Sequence, residues 1–113
     1  MCTQTQLSGI LARVGETAKS VFGDRLTGAY LYGSYARGDQ TDDSDVDIMI
    51  VANVPRASLI EFKRPFLELS SELGLANDLV ITVTLKDTET FNRFLNAVPF
   101  YTNVVKEGIS IAV

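Results

Sequence analysis

The chain has 113 residues, 46% of them hydrophobic, which suffices for one compact domain with a core but not for two, so we expect a single domain over residues 1–113. Fourteen acidic residues against ten Lys and Arg give a net charge of −4, which argues against direct nucleic-acid binding because that requires a basic surface. One cysteine and no histidine exclude an internal disulfide and histidine-based triads, and disfavour a zinc site. The sequence has no signal core and no apolar run near the roughly 20 residues that span a bilayer, so we expect no membrane association and a cytoplasmic location.

The predicted elements alternate between helices and strands. In chain order they are a helix over Gln4–Val21, a strand over Leu26–Tyr32, a helical turn from Ser34 as N-cap to Arg37, a strand over Asp45–Val51, a helix over Ser58–Leu73 ended by Gly74, a strand over Asp78–Leu85, helices over Thr88–Leu95 and Pro99–Lys106, and a short strand over Gly108–Val113. Pro65 predicts a kink or a division of its helix. The alternation predicts an α/β (α+β) domain with a small mixed β-sheet flanked by helices.

Two carboxylates stand out at the start of the second predicted strand. Residues two apart on a strand project to the same face, so Asp45 and Asp47 are expected side by side while Val46, Ile48 and Ile50 face the core. Adjacent like charges repel, and a divalent cation resolves the conflict. Mg²⁺ prefers oxygen ligands and commonly uses one or two carboxylates together with substrate phosphates.

Gly33-Ser34 supplies a complementary phosphate site. The pair lies where a strand meets a helix N-terminus, at which free backbone N–H groups favour an anion. Gly33 has no Cβ to block a phosphate, and the Ser34 hydroxyl adds a donor. Each feature also has an ordinary interpretation. Gly-Ser is typical of a turn, and Asp-x-Asp of a solvated strand edge or loop. Arg37 could pair with Asp39 or cap a carbonyl. Their joint occurrence favours a magnesium–nucleotide site.

The four tyrosines are predicted to be packing residues. Tyr35 lies inside the Gly-Ser motif, so bordering the nucleotide is an alternative for it.

The run Gly33-Ser34-Tyr35-Ala36-Arg37-Gly38, followed by Ser44-Asp45-Val46-Asp47-Ile48, resembles the signature of the DNA polymerase β-like nucleotidyltransferase superfamily: Gly-Ser, a spacer, then Asp-x-Asp or Asp-x-Glu. More narrowly, it is similar to the minimal nucleotidyltransferases (MNT) of prokaryotes. The resemblance extends to Asn77-Asp78-Leu79-Val80 and to the ending from Pro99 to Ile109. It implies the polymerase β-like fold and transfer of a nucleoside monophosphate, with ATP as substrate and two Mg²⁺ ions as cofactors.

The resemblance also implies roles for single residues. Asp45 and Asp47 would bind both ions, and Asp78 would bind the metal nearest the acceptor and act as general base. Gly33 and Ser34 would hold the β- and γ-phosphates, and Arg37 is a further phosphate or acceptor contact. Asp78 has competitors for its role in Asp87, Asp42 and Asp43.

The acceptor is implied by the family alone. Small members often accompany a HEPN-class ribonuclease toxin and act as antitoxin by adding AMP to a tyrosine of that partner. Alternatives are a non-catalytic binding antitoxin, a nucleotide-binding regulatory module, and an aminoglycoside-type nucleotidyltransferase, which normally carries a further helical domain. The sequence leaves the acceptor, the base preference and the oligomeric state open.

Overall fold

A computed structural model of the chain describes residues 3–95 and 97–111. Its helices and strands in chain order are α1 (Gln4–Phe22), β1 (Leu26–Tyr32), α2 (Ser34–Arg37), β2 (Val46–Ala52), α3 (Lys63–Asn77), β3 (Ile81–Asp87), α4 (Thr88–Phe94), α5 (Pro99–Glu107) and β4 (Ile109–Ser110). Short 3₁₀ segments, Gly23–Arg25 and Arg56–Phe62, precede β1 and α3. The predicted α/β class is confirmed. The last strand is shorter than predicted, and residues 112 and 113 lie outside the described part.

The strands form one mixed sheet in the order β3-β2-β1-β4. β1 is antiparallel to both β2 and β4, whereas β2 and β3 are parallel. The register sets Tyr32 of β1 and Thr82 of β3 on either side of Asp47. The start of β2 therefore lies between the end of β1 and the start of β3.

Helices cover both faces of the sheet. On one face, the β2 side chains at alternate positions from Val46 to Ile50 are fully buried with residues of α1 and α3, which confirms the predicted core face. On the other face, Met49 and Val51 pack with residues of α4 and α5. Asp47 is two residues before Met49 on the strand, so its side chain points to the same face of the sheet, the one covered by α4 and α5. Across the described residues, no helix has the length and apolar character needed to cross a membrane.

The helix predicted around Pro65 is divided in two, which is one of the two expected outcomes, a kink or a division. The chain runs as a 3₁₀ segment to Phe62, and α3 then begins at Lys63. Pro65 is therefore in the first turn of α3, where a missing N–H costs no intrahelical hydrogen bond.

The end of α3 differs from the prediction. Gly74 does not stop the helix: it lies against the carbonyl of Leu79, where an added Cβ would come within 2.7 Å of the oxygen. The helix continues to Asn77, and Asp78 ends it in the left-handed conformation at φ 54°. The predicted strand from Asp78 is therefore wrong at its start, and β3 begins at Ile81.

Candidate active site

Asp45 and Asp47 lie together at the start of the central strand. Asp45 directly precedes β2, and Asp47 is the second residue of the strand and half-buried. Burial raises the pKa of the Asp47 carboxyl above its ordinary value, and the negative charge of Asp45 raises it further. The structure thus brings the predicted pair together and shows the repulsion that a bound cation would relieve.

Gly33 stands against Asp47 at the end of β1. Its backbone has φ 77° and ψ −157°, a region that is essentially restricted to glycine. A Cβ at this position would lie 2.7 Å from Oδ2 of Asp47. The backbone at Gly33 can therefore approach the carboxylate, and a ligand bound by it, more closely than any other residue allows.

The turn after Gly33 differs from the predicted one in a detail. Gly33, not Ser34, is the N-cap of α2, and its carbonyl accepts hydrogen bonds from the N–H groups of Ala36 and Arg37. Ser34 is the first helical residue, so its own N–H has no partner within the helix. With only four residues, α2 contributes little dipole, so any attraction for an anion here comes mainly from the free backbone N–H groups.

Arg37 makes the contact that its ordinary interpretation predicted. Its Nε donates to Asp39 at 3.2 Å, and its Nη1 lies 4.0 Å from a carboxylate oxygen of Glu107 in α5. Both pairs are solvent-exposed and so are weak. The guanidinium also borders a small cavity of about 240 Å³ between Gly33 and α5.

Tyr32 and Tyr35 take different positions. Tyr35 is buried in the α1–α3 core, as a packing residue should be. Tyr32 instead lies beside Asp47 across the β1–β2 ladder. Burial raises the pKa of its hydroxyl, a hydrogen bond with Thr84 opposes the rise, and the charge of Asp47 adds to it. The sequence did not single out this neighbour, because only the register places it there.

Asp78 does not join the pair. In the described residues, no three Asp, Glu, Cys or His side chains are grouped so that they could hold a metal ion. Asp78 caps α3 three residues before β3 begins, whereas the β3 residue beside Asp47 is Thr82. Asp78 instead lines an open groove, shared with Asp45, at the start of β3.

Asp87, an alternative to Asp78 as the third carboxylate, caps a helix instead. It lies at the far end of β3, paired with Ala52. Its Oδ2 accepts the N–H of Thr90 and caps α4, while Oδ1 is buried without a hydrogen-bond partner in the described residues. Burial alone would raise the pKa of Asp87, but the hydrogen bonds from Thr90 and the charge of Arg56 bring it below its ordinary value.

We expect Asp87→Ala to lower the free energy of unfolding at neutral pH by about 1 kcal/mol, a typical loss for an N-cap. Because the folded-state pKa is lowered, this contribution exists above the unfolded-state pKa and disappears as the pH falls through the folded-state value. The wild-type and variant stabilities should therefore converge in acid. Urea unfolding between neutral and acid pH measures this, and a constant difference would contradict it.

The chain matches the sequence model of the nucleotidyltransferase domain family over residues 12–109. A predicted protein adenylyltransferase of Methanocaldococcus jannaschii is 38% identical over 90 residues, covering 80% of this chain and 82% of the relative. Protein adenylyltransferase MntA of Thermococcus cleftensis is 37% identical over 87 residues, covering 76% and 84%.

Two solved structures share the fold. A toxin–antitoxin complex with AMP-PNP aligns with a TM-score of 0.57 at 21% identity, over 90% of this chain and 72% of the other. The MNT antitoxin complex with the tri-AMPylated HEPN toxin of Shewanella oneidensis aligns with a TM-score of 0.51 at 18% identity, over 91% and 69%. The glycine–carboxylate arrangement, the mixed sheet and the sequence relatives agree: the chain belongs to the nucleotidyltransferase domain family, among the minimal nucleotidyltransferases.

Proposed function

We propose that this protein transfers AMP from ATP, with Mg²⁺, to a tyrosine hydroxyl of a HEPN-class toxin and so acts as its antitoxin in the cytoplasm. The observation that carries the proposal is the close approach of the Gly33 backbone to the Asp47 carboxylate, beside Asp45. It joins a backbone that a phosphate can approach to a half-buried carboxylate whose pKa is raised by burial and further by the charge of Asp45, a combination that a bound cation would relieve. Relatives named as protein adenylyltransferases support the reaction.

The donor set fits magnesium. Two carboxylates with room for phosphate oxygens are a common Mg²⁺ environment, so Asp45 and Asp47 would hold the metal. When bound, Mg²⁺ supplies the positive charge that polarises phosphate oxygens. The backbone at Gly33 and the Ser34 hydroxyl would bind and orient the β- and γ-phosphates, and Arg37 would pair with them in place of its exposed carboxylate partners.

For Asp78 we propose a role in binding the acceptor and not a role as a third metal ligand. Its place in the groove beside Asp45 puts it where the acceptor would approach. We expect Asp78→Asn to lower AMP transfer by about tenfold, mainly through the KM for the acceptor. A general base contributes about 10²- to 10⁴-fold instead, so a loss in that range in kcat would contradict this placement. Steady-state transfer kinetics with a varied acceptor distinguish the two.

The relatives support the choice of partner. An MNT antitoxin of the same fold occurs in complex with an AMPylated HEPN toxin, and proteins of similar length are named adenylyltransferases. A non-catalytic antitoxin that only binds and masks its toxin is the second candidate, favoured by the absence of a third carboxylate beside Asp45 and Asp47 in the described residues.

Toxin neutralisation separates the two candidates. We expect the double variant Asp45→Asn/Asp47→Asn to bind the cognate toxin but to leave its ribonuclease activity intact. Full neutralisation by the double variant would show that binding suffices and would contradict the catalytic account. A pull-down of the toxin by each form provides the control for complex formation.

A further inference from the structure

We propose that the groove at the start of β3 docks the acceptor segment of the protein partner, and that this segment is basic beside its acceptor hydroxyl. The groove lies between α3, residues 78–81 and the loop of residues 42–45, and encloses about 810 Å³. The inference rests on the proposed AMP transfer. It adds where the acceptor segment docks and that this segment is positively charged.

The acceptor oxygen must attack the α-phosphorus of ATP from the side opposite the leaving pyrophosphate. The acceptor oxygen bonds to the α-phosphorus as the bond from that phosphorus to the oxygen bridging the β-phosphate breaks; pyrophosphate leaves, and the acceptor proton passes to solvent. In-line displacement places the entering and leaving oxygens on opposite sides of the phosphorus. Gly33 adjoins Asp47 from β1, and the groove adjoins Asp45 on the β3 side where β2 begins, so phosphates bound at Gly33 and an acceptor in the groove would lie on opposite sides of the carboxylate pair.

The groove occupies that β3 side and reaches Asp45. Its walls include apolar side chains that remain largely in water: Leu67 is 64% exposed, Leu75 86% and Val80 60%. Contiguous exposed apolar surface of this kind marks interaction sites on soluble proteins. A polypeptide segment lying across α3 would cover these side chains and bring a hydroxyl to the carboxylate end.

The charge of the groove selects the kind of segment. Four aspartates line it, Asp42, Asp43, Asp45 and Asp78, and no Lys or Arg is among its described lining residues. Asp45 would hold the Mg²⁺ ion, so the charge that meets a docked segment is that of Asp42, Asp43 and Asp78. No described ion pair joins Asp43, Asp45 or Asp78 to a cation. Complementary charge across an interface favours encounter and register, so Lys or Arg flanking the acceptor fits this surface and acidic flanks do not.

Peptide binding tests the inference without relying on catalysis. Three tyrosine peptides of equal length, flanked by Lys, Gln or Glu, are titrated with the Mg²⁺–AMP-PNP form of the full chain and followed by fluorescence anisotropy. We expect the Lys peptide to bind about tenfold more tightly than the Glu peptide at low salt, with the preference shrinking as salt screens it. Equal affinities would overturn the inference.

Matched variants separate the groove from the overall charge. We expect Asp43→Lys to reduce the Lys-over-Glu preference about fivefold, because it reverses a charge at the groove. Asp24→Lys changes the net charge equally, but it lies in the 3₁₀ segment before β1, near the opposite end of the sheet, and should leave the preference unchanged. Equal effects of the two variants would overturn the inference.

A second pair of variants tests the apolar wall. Leu75→Ser should weaken all three peptides about threefold, whereas Ile60→Ser, at a side chain 72% exposed but outside the groove, should not. Equal effects would count against docking on α3. AMP transfer to the toxin is measured separately. If the protein transfers AMP but does not prefer the Lys peptide, this inference alone is overturned. If it prefers the Lys peptide but transfers no AMP, the proposed function alone is overturned.

Discussion

Replacing Asp47 with Asn should lower AMP transfer by about a thousandfold or more while it raises the stability of the metal-free protein. The loss of activity follows because the pair would hold the metal, and removing a group that stabilises charge in the transition state costs about that much. The gain in stability follows because the ionised carboxylate is unfavourable in the folded protein, where burial and Asp45 raise its pKa.

The stability gain of Asp47→Asn over the wild type should depend on pH. The Asp47 pKa is higher in the folded chain than in the unfolded one, so the folded state binds the proton more tightly. The resulting cost is fully present above the folded-state pKa and disappears as the pH falls below the unfolded-state value. The advantage of Asp47→Asn should therefore be present at neutral pH and vanish in acid.

Thermal melts of the metal-free proteins across this pH range, with transfer assays alongside, measure both effects. Asp24→Asn, at an exposed carboxylate outside the site, is the matched control and should retain activity. Added Mg²⁺ should stabilise the wild type more than Asp47→Asn, because a ligand stabilises only the form that binds it. An Asp47→Asn protein less stable than the wild type at neutral pH would contradict the electrostatic account.

Gly33→Ala should be damaging in two ways. The backbone at φ 77° and ψ −157° is strained for alanine by about 1–3 kcal/mol. The new Cβ would also lie 2.7 Å from the Asp47 carboxylate, which must move. Because small displacements of reacting groups reduce rates steeply, we expect transfer to fall by about a hundredfold as well.

Gly9→Ala provides the matched control for this substitution. Gly9 is an exposed position inside α1, and an added Cβ there meets no atom within 4 Å. Alanine should stabilise the helix by about 0.5–1 kcal/mol and leave transfer unchanged. Urea unfolding and transfer assays of both variants test the pair. A fully active Gly33→Ala protein would remove Gly33 from the phosphate site.

Local patterns were sufficient to predict the fold class and the main elements. Alternation in β2 placed Val46 and Ile50 in the core and Asp47 on the opposite face, because a strand has a strict two-residue period. Pro65 predicted either a kink or a division of its helix, because its ring and missing N–H disfavour a helix interior, and the structure shows the division. The motifs predicted that Gly33 and the Asp45–Asp47 pair belong to one site, and the β1–β2 register supplies the contact of Gly33 with Asp47.

The errors concern where α3 ends and which residues lie side by side in the sheet. Gly74 was a plausible helix stop, but α3 continues to Asn77 and ends at Asp78, with the carbonyl of Leu79 against Gly74. The strand predicted from Asp78 begins only at Ile81, because Asp78 ends α3 in the left-handed conformation and Thr82 is the β3 residue beside Asp47. The role of Asp78 at the metal stays a prediction. Tyr32 drew attention only once the antiparallel register was known. Neither register nor helix length is encoded in a short motif.

The most direct test of the carboxylate–glycine site is the fate of label from ATP. The wild-type chain is incubated with Mg²⁺, its cognate toxin and ATP labelled either at the α- or at the γ-phosphate. The account predicts that α-label becomes covalently bound to the toxin, that γ-label leaves with pyrophosphate, and that the Asp45→Asn/Asp47→Asn protein transfers neither. Transfer of γ-label, or unchanged labelling by the double variant, would contradict it.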